Sequence, residues 1–217
     1  MPGTATEYSD LGMILLMDIC EKVSGLNFDK MVDKWVLKPI EMNNTFFNPD
    51  KSKWKNIPPT EIDTIYRKKN IKGIVHDENA YHMGGVSGHA GLFSNAHDIA
   101  KYAQTTLNLG VYNGKRVFDK RLVQKFTKRT NVSNKFPFIL GWDTPSKDGK
   151  SNAGDLFSNS SFGHLGFTGT SLWIDAKNNI IIVLLSNRTF PTRNKKGIYN
   201  IRRALHNEIM NTILSES

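Results

Sequence analysis

The pattern of apolar and polar positions predicts helices in the first part of the sequence. The run LGMILLMDIC is apolar nearly all round a helix, so we expect a helix from Leu11 to about Ser24 that lies in a core. Gly25 is suited to end this helix, because glycine readily adopts the left-handed conformation of a helix C-terminus. A second helix is expected over about 28–38.

The middle of the chain gives weaker signals. Residues 43–75 are expected to form a long irregular segment, because their apolar positions follow neither a helical nor a strand period. Ser94 and Asp119 each stand just before a helical pattern, so we expect them to cap two further helices.

From residue 138 onward the period changes. The runs FILGWD, FGHLGF, TSLWID and NIIIVLLSN are typical of strands joined by short turns, which makes them antiparallel neighbours. The chain closes on an amphipathic helix, whose predicted apolar face carries Ile198, Ile201, Leu205, Ile209 and Ile213. Helices followed by strands predict the α+β class.

The same change of pattern suggests how the chain is organised. Residues 1–135 are predicted to form a mainly helical region, and residues 136–217 an antiparallel sheet with the C-terminal helix. We interpret the two regions as parts of one intertwined domain.

Composition narrows the classes of protein. The chain has 217 residues, a formal net charge of +9 and one cysteine, Cys20, which excludes an internal disulfide. The lysines and arginines are scattered, so we interpret the charge as a solvated basic surface and expect no nucleic-acid partner. No apolar run is long enough to span a membrane, and the first residues lack the pattern of a signal peptide.

Two short stretches offer chemistry. Tyr8 lies just before a predicted helix, whose positive end favours a phenolate that can accept a proton. His164 lies between Gly163 and Leu165 in FGHLGF, where it can supply a cationic or donor group. Glycines near a strand edge leave its backbone N–H groups open to a substrate oxygen.

These stretches carry a family resemblance. PGTATEYSDLGMILLMDICEKVSG (2–25), GGVSGHAGLFSNAHDIAKYAQ (84–104) and FGHLGFTGTSLWID (162–175) resemble three boxes of the β-lactamase and penicillin-binding-protein serine hydrolases. The chain is similar to the C-terminal two-thirds of the class C β-lactamase-like esterase and carboxypeptidase branch. Residues 59–80 further resemble modules fused behind family-3 glycoside hydrolases in envelope proteins. The resemblance implies a β-lactamase/transpeptidase-like fold.

The resemblance also implies roles for single residues. Tyr8 matches the general base and acid, and His164 the cation of the third box. Phe167 matches the residue whose backbone N–H binds the oxyanion. Asp10 stands where the family often has asparagine, and an ionised aspartate cannot donate to a substrate carbonyl. The implied substrate-binding residues are Asp10, Gly166, Phe167, Thr168 and Gly169.

One element of the family pattern is missing from its expected place. The nucleophile of the family lies in Ser-x-x-Lys, upstream of the tyrosine box. In this sequence the motif occurs downstream, as SKWK at 52–55, beside two prolines, and we interpret it as a chance match. We therefore expect the N-terminal part of the fold to be missing and a separate segment to supply the nucleophile.

Three hypotheses follow for function. The leading one is a serine hydrolase that cleaves an ester or amide, such as a peptidoglycan-derived peptide, a β-lactam or a small ester. The second is a non-catalytic remnant that binds a ligand or a partner chain, and the third, which the scattered charge disfavours, is a nucleic-acid binder. The sequence leaves the compartment open, and the resemblance implies the periplasm or cell envelope.

The sequence predicts neither a cofactor nor a metal. A group of histidines and acids lies between residues 76 and 97, but its spacing matches no helix-borne or Cys/His metal signature. We expect these side chains to form structural hydrogen bonds. The group comprises His76, Asp77, Glu78, His82, His89 and His97.

Overall fold

The computed structural model describes residues 7–129, 138–146 and 151–216. Its helices are α1 Asp10–Ser24, α2 Phe28–Val32, α3 Glu78–His82, α4 Ala96–Leu107, α5 Lys120–Thr127 and α6 Ile198–Ser215, with a π-helical turn at Asp33–Leu37 and a 3-10 helix at Lys51–Asn56. Its strands are β1 Phe46–Phe47, β2 Glu61–Asp63, β3 Lys69–Ile71, β4 Leu92–Phe93, β5 Val111–Tyr112, β6 Lys115–Arg116, β7 Phe138–Ile139, β8 Trp142–Asp143, β9 Phe162–Leu165, β10 Ser171–Asp175 and β11 Ile180–Leu184.

The chain divides into two units that are not continuous in sequence. The first contains the residues through Asp98 together with Thr189–Arg193. The second contains Ile99–Arg188 and Asn194–Ser217. The boundary predicted between residues 135 and 136 lies outside the described residues.

The second unit is built on an antiparallel sheet of five strands in the order β11-β10-β9-β8-β7. The antiparallel strands expected after residue 138 are therefore confirmed. In the register of the sheet, Trp173 lies opposite both Gly163 and Ile182. A side chain at Gly163 would collide with the indole of Trp173 and the carbonyl of Leu172. Close packing thus explains this glycine.

Each face of the sheet packs against a helix. On one face, Trp173 is only 1% exposed and packs with Phe157, Ile182 and Met210, the last of which lies on α6. On the other face, buried Phe162 and Ile174 pack with Ala103 of α4. Burial of large apolar side chains of this kind stabilises a fold by about 1.5–3 kcal/mol each.

The interior location expected for the first helix is wrong. The helix forms as predicted and ends at Gly25, whose φ of 68° is left-handed, but within the described chain Met17 is its buried residue. Most of its other apolar side chains lie at the surface because the described elements, α2 among them, cover only part of the helix. The exposed side chains of this apolar face are Leu11, Leu15, Leu16, Ile19 and Val23.

The face predicted for the C-terminal helix is also wrong. The helix α6 buries Arg202, His206 and Met210, whereas Ile201 is 60% exposed. The side chains of Arg202 and His206 can be buried because they have hydrogen-bond partners in the interior. His206, for example, is within hydrogen-bonding distance of Ser171 Oγ and the carbonyl of Asn152, and burial lowers its pKa.

Smaller expectations have mixed outcomes. Asp119 caps α5, as predicted, by accepting from the next backbone N–H groups. At the start of α4 the side chain that accepts a backbone N–H is Asn95, while Ser94 Oγ pairs with Thr45. Residues 43–75 are more ordered than expected and contain β1, β2, β3 and the 3-10 helix.

A buried ion-pair network holds Thr189–Arg193 within the first unit. Glu61, which is only 5% exposed, accepts from Arg193 Nη2 at 2.6 Å, and its other oxygen accepts from Arg193 N at 3.0 Å. His76 Nε2 lies 3.0 Å from Glu61 Oε2. Burial alone would raise the pKa of Glu61, but the hydrogen bonds from Arg193 and His76 outweigh it and hold that pKa below its usual value.

Candidate active site

The tyrosine box lies at the beginning of α1. Tyr8 is 64% exposed, Ser9 is the extended residue before the helix, and Asp10 is the first helical residue. The first turn of a helix carries unsatisfied N–H groups and a partial positive charge. Asp10 therefore lies where negative charge is favoured, and Tyr8 lies two residues before it. A phenolate at Tyr8 stays a prediction.

Asp10 meets a second acid and a histidine. Ligating atoms of Asp10, Asp77 and His89 all lie within 4.8 Å of one another. His89 Nε2 is 2.9 Å from Asp77 Oδ1, and His89 Nδ1 is 2.8 Å from Ser87 Oγ. Sequence analysis missed this cluster because its members come from three separate segments.

The cluster offers a donor set that a divalent cation can use, two carboxylates and an imidazole. Each carboxylate already has a stabilising environment, however. Asp77 caps α3 by accepting from Ala80 N at 2.8 Å, and Asp10 lies in the first turn of α1. Burial would raise the pKa of Asp77, yet its bonds from Ala80 and His89 hold that pKa below its usual value. Helix ends thus stabilise both carboxylates, and the absence of a metal stays a prediction.

The third box lies in the second unit, at the end of β9. His164 lies opposite Leu172 of β10, and its Nδ1 is 2.9 Å from the carbonyl oxygen of Leu165. On the neighbouring strand, Asp143 lies opposite Gly163. Burial raises the pKa of Asp143, against the opposing charges of His164 and Arg202. The sequence gave no signal for this carboxyl group near His164.

The turn Gly166–Thr170 follows His164 and connects β9 to β10. Gly166 N donates to the carbonyl of Thr170 at 2.8 Å, and Gly169 N donates to the carbonyl of Gly166 at 3.0 Å. Gly169 has a φ of 114°, which only glycine adopts readily. A side chain at Gly166 would collide with Thr170 Oγ1. Local packing therefore requires a glycine here, in addition to the predicted need for a strand edge that is open to substrate.

Side chains from outside the turn bind its carbonyl groups. Arg188 Nε donates to the carbonyl of Phe167 at 2.7 Å, and its guanidinium lies 4.3 Å from the centre of the Phe167 ring. Ser186 Oγ donates to the carbonyl of Gly169 at 2.8 Å. Arg202 donates to three carbonyls of the turn, that of Gly169 among them. The structure thus brings the predicted residues 164–169 together on a fixed backbone.

The motif SKWK occupies the 3-10 helix. Ser52 is exposed, and its backbone N–H donates to Asp50 Oδ1 at 2.8 Å. The hydrogen bond from the Ser52 side chain is the main reason why the pKa of Asp50 is lowered. Here the serine stabilises the carboxylate of Asp50.

The antiparallel sheet lies between helices, and a His-x-Gly segment stands at the end of one strand. This arrangement agrees with the family resemblance of the sequence. The sequence model of the beta-lactamase family matches residues 1–206, so the chain belongs to the beta-lactamase family. Proteins of Salmonella agona and Salmonella typhi, each described as an inferred D-alanyl-D-alanine carboxypeptidase, are 38% identical to it over 215 residues. The alignment covers 92% of this chain and 49% of the Salmonella agona protein.

Solved structures support the fold. A beta-lactamase from Mycobacterium bovis matches with a TM-score of 0.66 at 18% identity, covering 97% of this chain and 65% of the other. A penicillin-binding-protein homologue from Caulobacter crescentus matches with a TM-score of 0.59 at 14% identity, covering 85% of this chain and 53% of the other. The β-lactamase/transpeptidase-like α+β fold is therefore confirmed.

Two further facts concern the length of the chain relative to its relatives and the character of its helices. The chain spans about half the length of the Salmonella proteins that it matches. Among the helices of the described residues, none combines the length and apolar character that crossing a bilayer requires.

Proposed function

We propose that this chain is the part of a serine hydrolase that supplies the general base and the oxyanion-binding strand. The reaction is the cleavage of an ester or amide through an acyl-enzyme. The observation that carries the proposal is the turn Gly166–Thr170, which begins two residues after His164 and is held by Ser186, Arg188 and Arg202. An oxyanion donor is effective when its direction is fixed before the substrate arrives.

Each residue of the two boxes receives a role in this proposal. The oxygen of Tyr8 takes the proton of the attacking serine hydroxyl and later gives it to the leaving group. His164 supplies a cationic or donor group that assists this transfer. The N–H of Phe167 donates to the substrate carbonyl oxygen as it becomes negative, and water then hydrolyses the acyl-enzyme. Asp10, Gly166, Thr168 and Gly169 complete the proposed contacts with substrate.

The proposed nucleophile is the serine of a Ser-x-x-Lys segment other than SKWK. Ser52 is a poor candidate because it is exposed on a 3-10 helix, where its N–H binds the Asp50 carboxylate. A separate or preceding segment is therefore the proposed partner of this chain.

The proposal covers three kinds of substrate: peptidoglycan-derived peptides, β-lactams and small esters. The description of the Salmonella relatives as inferred D-alanyl-D-alanine carboxypeptidases favours a D-alanyl-D-alanine peptide among them. No cofactor has a role in the proposed reaction.

Mass spectrometry with a fluorophosphonate and a β-lactam tests the proposal. The 217-residue chain alone should gain no acyl or phosphonyl mass. The chain supplied with a Ser-x-x-Lys segment from a relative, fused or as a separate peptide, should gain one label on that serine. A Ser52→Ala variant should be labelled equally well.

Two results would contradict the proposal. A label on Ser52 of the chain alone would make SKWK the nucleophile. A segment that restores the fold by circular dichroism but not labelling would favour the non-catalytic remnant that binds a ligand or partner.

A further inference from the structure

Arg202 is a buried guanidinium on α6 that has no role in the two boxes. The residue is 5% exposed, at a position where the sequence gave no reason to expect a charge inside. Burial lowers the pKa of Arg202, as does the charge of Arg188, with Asp143 opposing. Burying a charged group costs free energy unless hydrogen bonds satisfy it. Its partners therefore indicate what Arg202 is for.

Within the described residues, the hydrogen-bond acceptors of Arg202 are backbone carbonyls of the turn Gly166–Thr170. Nη2 of Arg202 donates to the carbonyl of Gly166 at 2.8 Å and to that of Thr170 at 2.6 Å. Nε donates to the carbonyl of Gly169 at 3.2 Å. The guanidinium is planar and its donors have fixed directions, so these bonds fix the orientations of the carbonyls that it holds. Arg202 thus holds the first and last residues of the turn at once.

One of these carbonyls determines the direction of the proposed oxyanion donor. The carbonyl of Gly166 and the N–H of Phe167 belong to the same peptide group. A trans peptide is planar, and its C=O and N–H point in opposite directions. Cis geometry occurs at Phe190–Pro191 among the described peptides, and the Gly166–Phe167 peptide is trans. A bond from Arg202 to Gly166 therefore aims the N–H of Phe167 away from the guanidinium.

The peptide group on the other side of Phe167 is held as well. Arg188 Nε binds the carbonyl of Phe167, and Arg188 N donates to the carbonyl of Thr168 at 2.8 Å. A carbonyl bound to a cation also polarises its own peptide group, which strengthens the N–H as a donor. The two arginines thus fix and polarise the peptide groups that flank Phe167.

We propose that Arg202 is a positioning residue that aims the backbone N–H of Phe167 at the oxyanion of the transition state. The inference rests on the proposed function, in which Phe167 N–H is the oxyanion donor. Arg202 touches no substrate in this role and acts through the Gly166–Phe167 peptide group. An oxyanion donor gains its effect from preorganisation, so a small rotation of this peptide should lower the rate of acylation more than substrate binding.

The variants are Arg202→Lys, which keeps the charge but has no planar fork, and Arg202→Met, which removes both. Arg203→Met is the matched control. Arg203 is the next residue of α6 and pairs with Asp155 at 2.5 Å, away from the turn. Circular dichroism and thermal unfolding show which variants fold, and Arg202→Lys is the variant of choice if Arg202→Met does not.

Hydrogen exchange in the 217-residue chain tests the hold on the turn without any activity. The amides of Gly166 and Gly169 are bonded inside the turn. We expect Arg202→Lys to speed their exchange by about tenfold or more, because local opening becomes easier, while Arg203→Met leaves it unchanged. Unchanged exchange in both variants would overturn the inference.

Acylation of the chain supplied with the Ser-x-x-Lys segment tests the link to the oxyanion. An ester is compared with its thionoester, whose sulfur is a poor partner for an oxyanion donor. We expect Arg202→Lys to lower the rate with the ester by about 10- to 100-fold, with little change in KM, and to lower the thionoester rate less. Arg203→Met should match the parent with both substrates.

The outcomes separate the two proposals. Equal losses with ester and thionoester would reduce Arg202 to a structural role and overturn the inference. A parent that is folded but never acylated would contradict the proposed function. In that case, faster exchange in Arg202→Lys would still support Arg202 as the group that fixes the direction of Phe167 N–H.

Discussion

The two boxes are held in different ways. In the third box, arginines and a serine bind backbone carbonyls of the turn Gly166–Thr170, so the backbone itself is the fixed part. In the tyrosine box, Tyr8 is exposed, and the helix that follows it buries little beyond Met17. In the proposed function, the oxyanion donor depends on a rigid backbone, whereas the proton carrier depends on a helix end and a charged surrounding.

The largest expected effect comes from removal of the proposed proton carrier, Tyr8. In the chain supplied with the Ser-x-x-Lys segment, Tyr8→Phe should lower the acylation rate by about 10²- to 10⁴-fold, the usual contribution of a general base. The control is Tyr199→Phe, an exposed tyrosine on α6, which should leave the rate unchanged. Rates are measured with a chromogenic β-lactam. A Tyr8→Phe rate within threefold of the parent would remove Tyr8 from the mechanism.

The second prediction concerns the network that holds Thr189–Arg193. Glu61→Gln should destabilise the chain by about 2 kcal/mol, because the buried Glu61 side chain loses its charged hydrogen bonds to Arg193 and His76, while Arg193 keeps its bond to Glu78. The control is Asp18→Asn, which breaks the exposed pair of Asp18 and Lys22 and should cost about 0.5 kcal/mol or less. Urea unfolding measures both, and equal costs would contradict the difference between buried and exposed pairs.

How far the sequence anticipated these arrangements depends on the kind of interaction. The strands and the start of α5 could be predicted because they follow from local period and capping. Arg202 and Glu61 could not, since their partners are a distant turn and a distant arginine. An arginine in an amphipathic helix is normally assigned to the surface, so the pattern of polar residues in α6 predicted the wrong buried face.

The tyrosine box shows the same limit. The sequence predicts that Asp10 lies at a helix start, where an ionised aspartate cannot donate a hydrogen bond to a substrate carbonyl. It could not show that His89 and Asp77 meet Asp10, because contacts between distant segments leave no periodic signal. The exposed face of α1 was missed for a related reason: apolar composition predicts burial only where another element covers the helix.

The third prediction is a loss of stability in acid that begins at His76. Burial lowers the pKa of His76, with Glu61, Arg193 and Glu78 as its charged neighbours. The unfolded chain therefore binds this proton more readily, so stability is full above about pH 6.5 and falls as the pH drops below that value. Glu61 and Asp63, whose pKa values are lowered, add a second loss below about pH 4.5.

Urea unfolding of the chain between pH 8 and pH 3 checks this order. His76→Gln should make the first decrease shallower and leave the second, because His206, whose pKa burial also lowers, contributes the rest of the first decrease. A first decrease that is unchanged in His76→Gln would contradict the role of His76.

The smallest expected effect tests whether α1 is as exposed as the structure has it. Leu16 is 53% exposed and Met17 is 9% exposed, although the two are neighbours on the same apolar helix. Met17→Ala should cost about 2 kcal/mol or more, because it opens a cavity. Leu16→Ala should cost about 0.5 kcal/mol or less, since surface changes of this kind remove little buried area. Urea unfolding of both variants at low protein concentration measures the difference. If Leu16→Ala costs as much as Met17→Ala, the apolar face of α1 is covered in solution. The two boxes would then differ only in the side-chain hydrogen bonds that hold the backbone of the turn Gly166–Thr170.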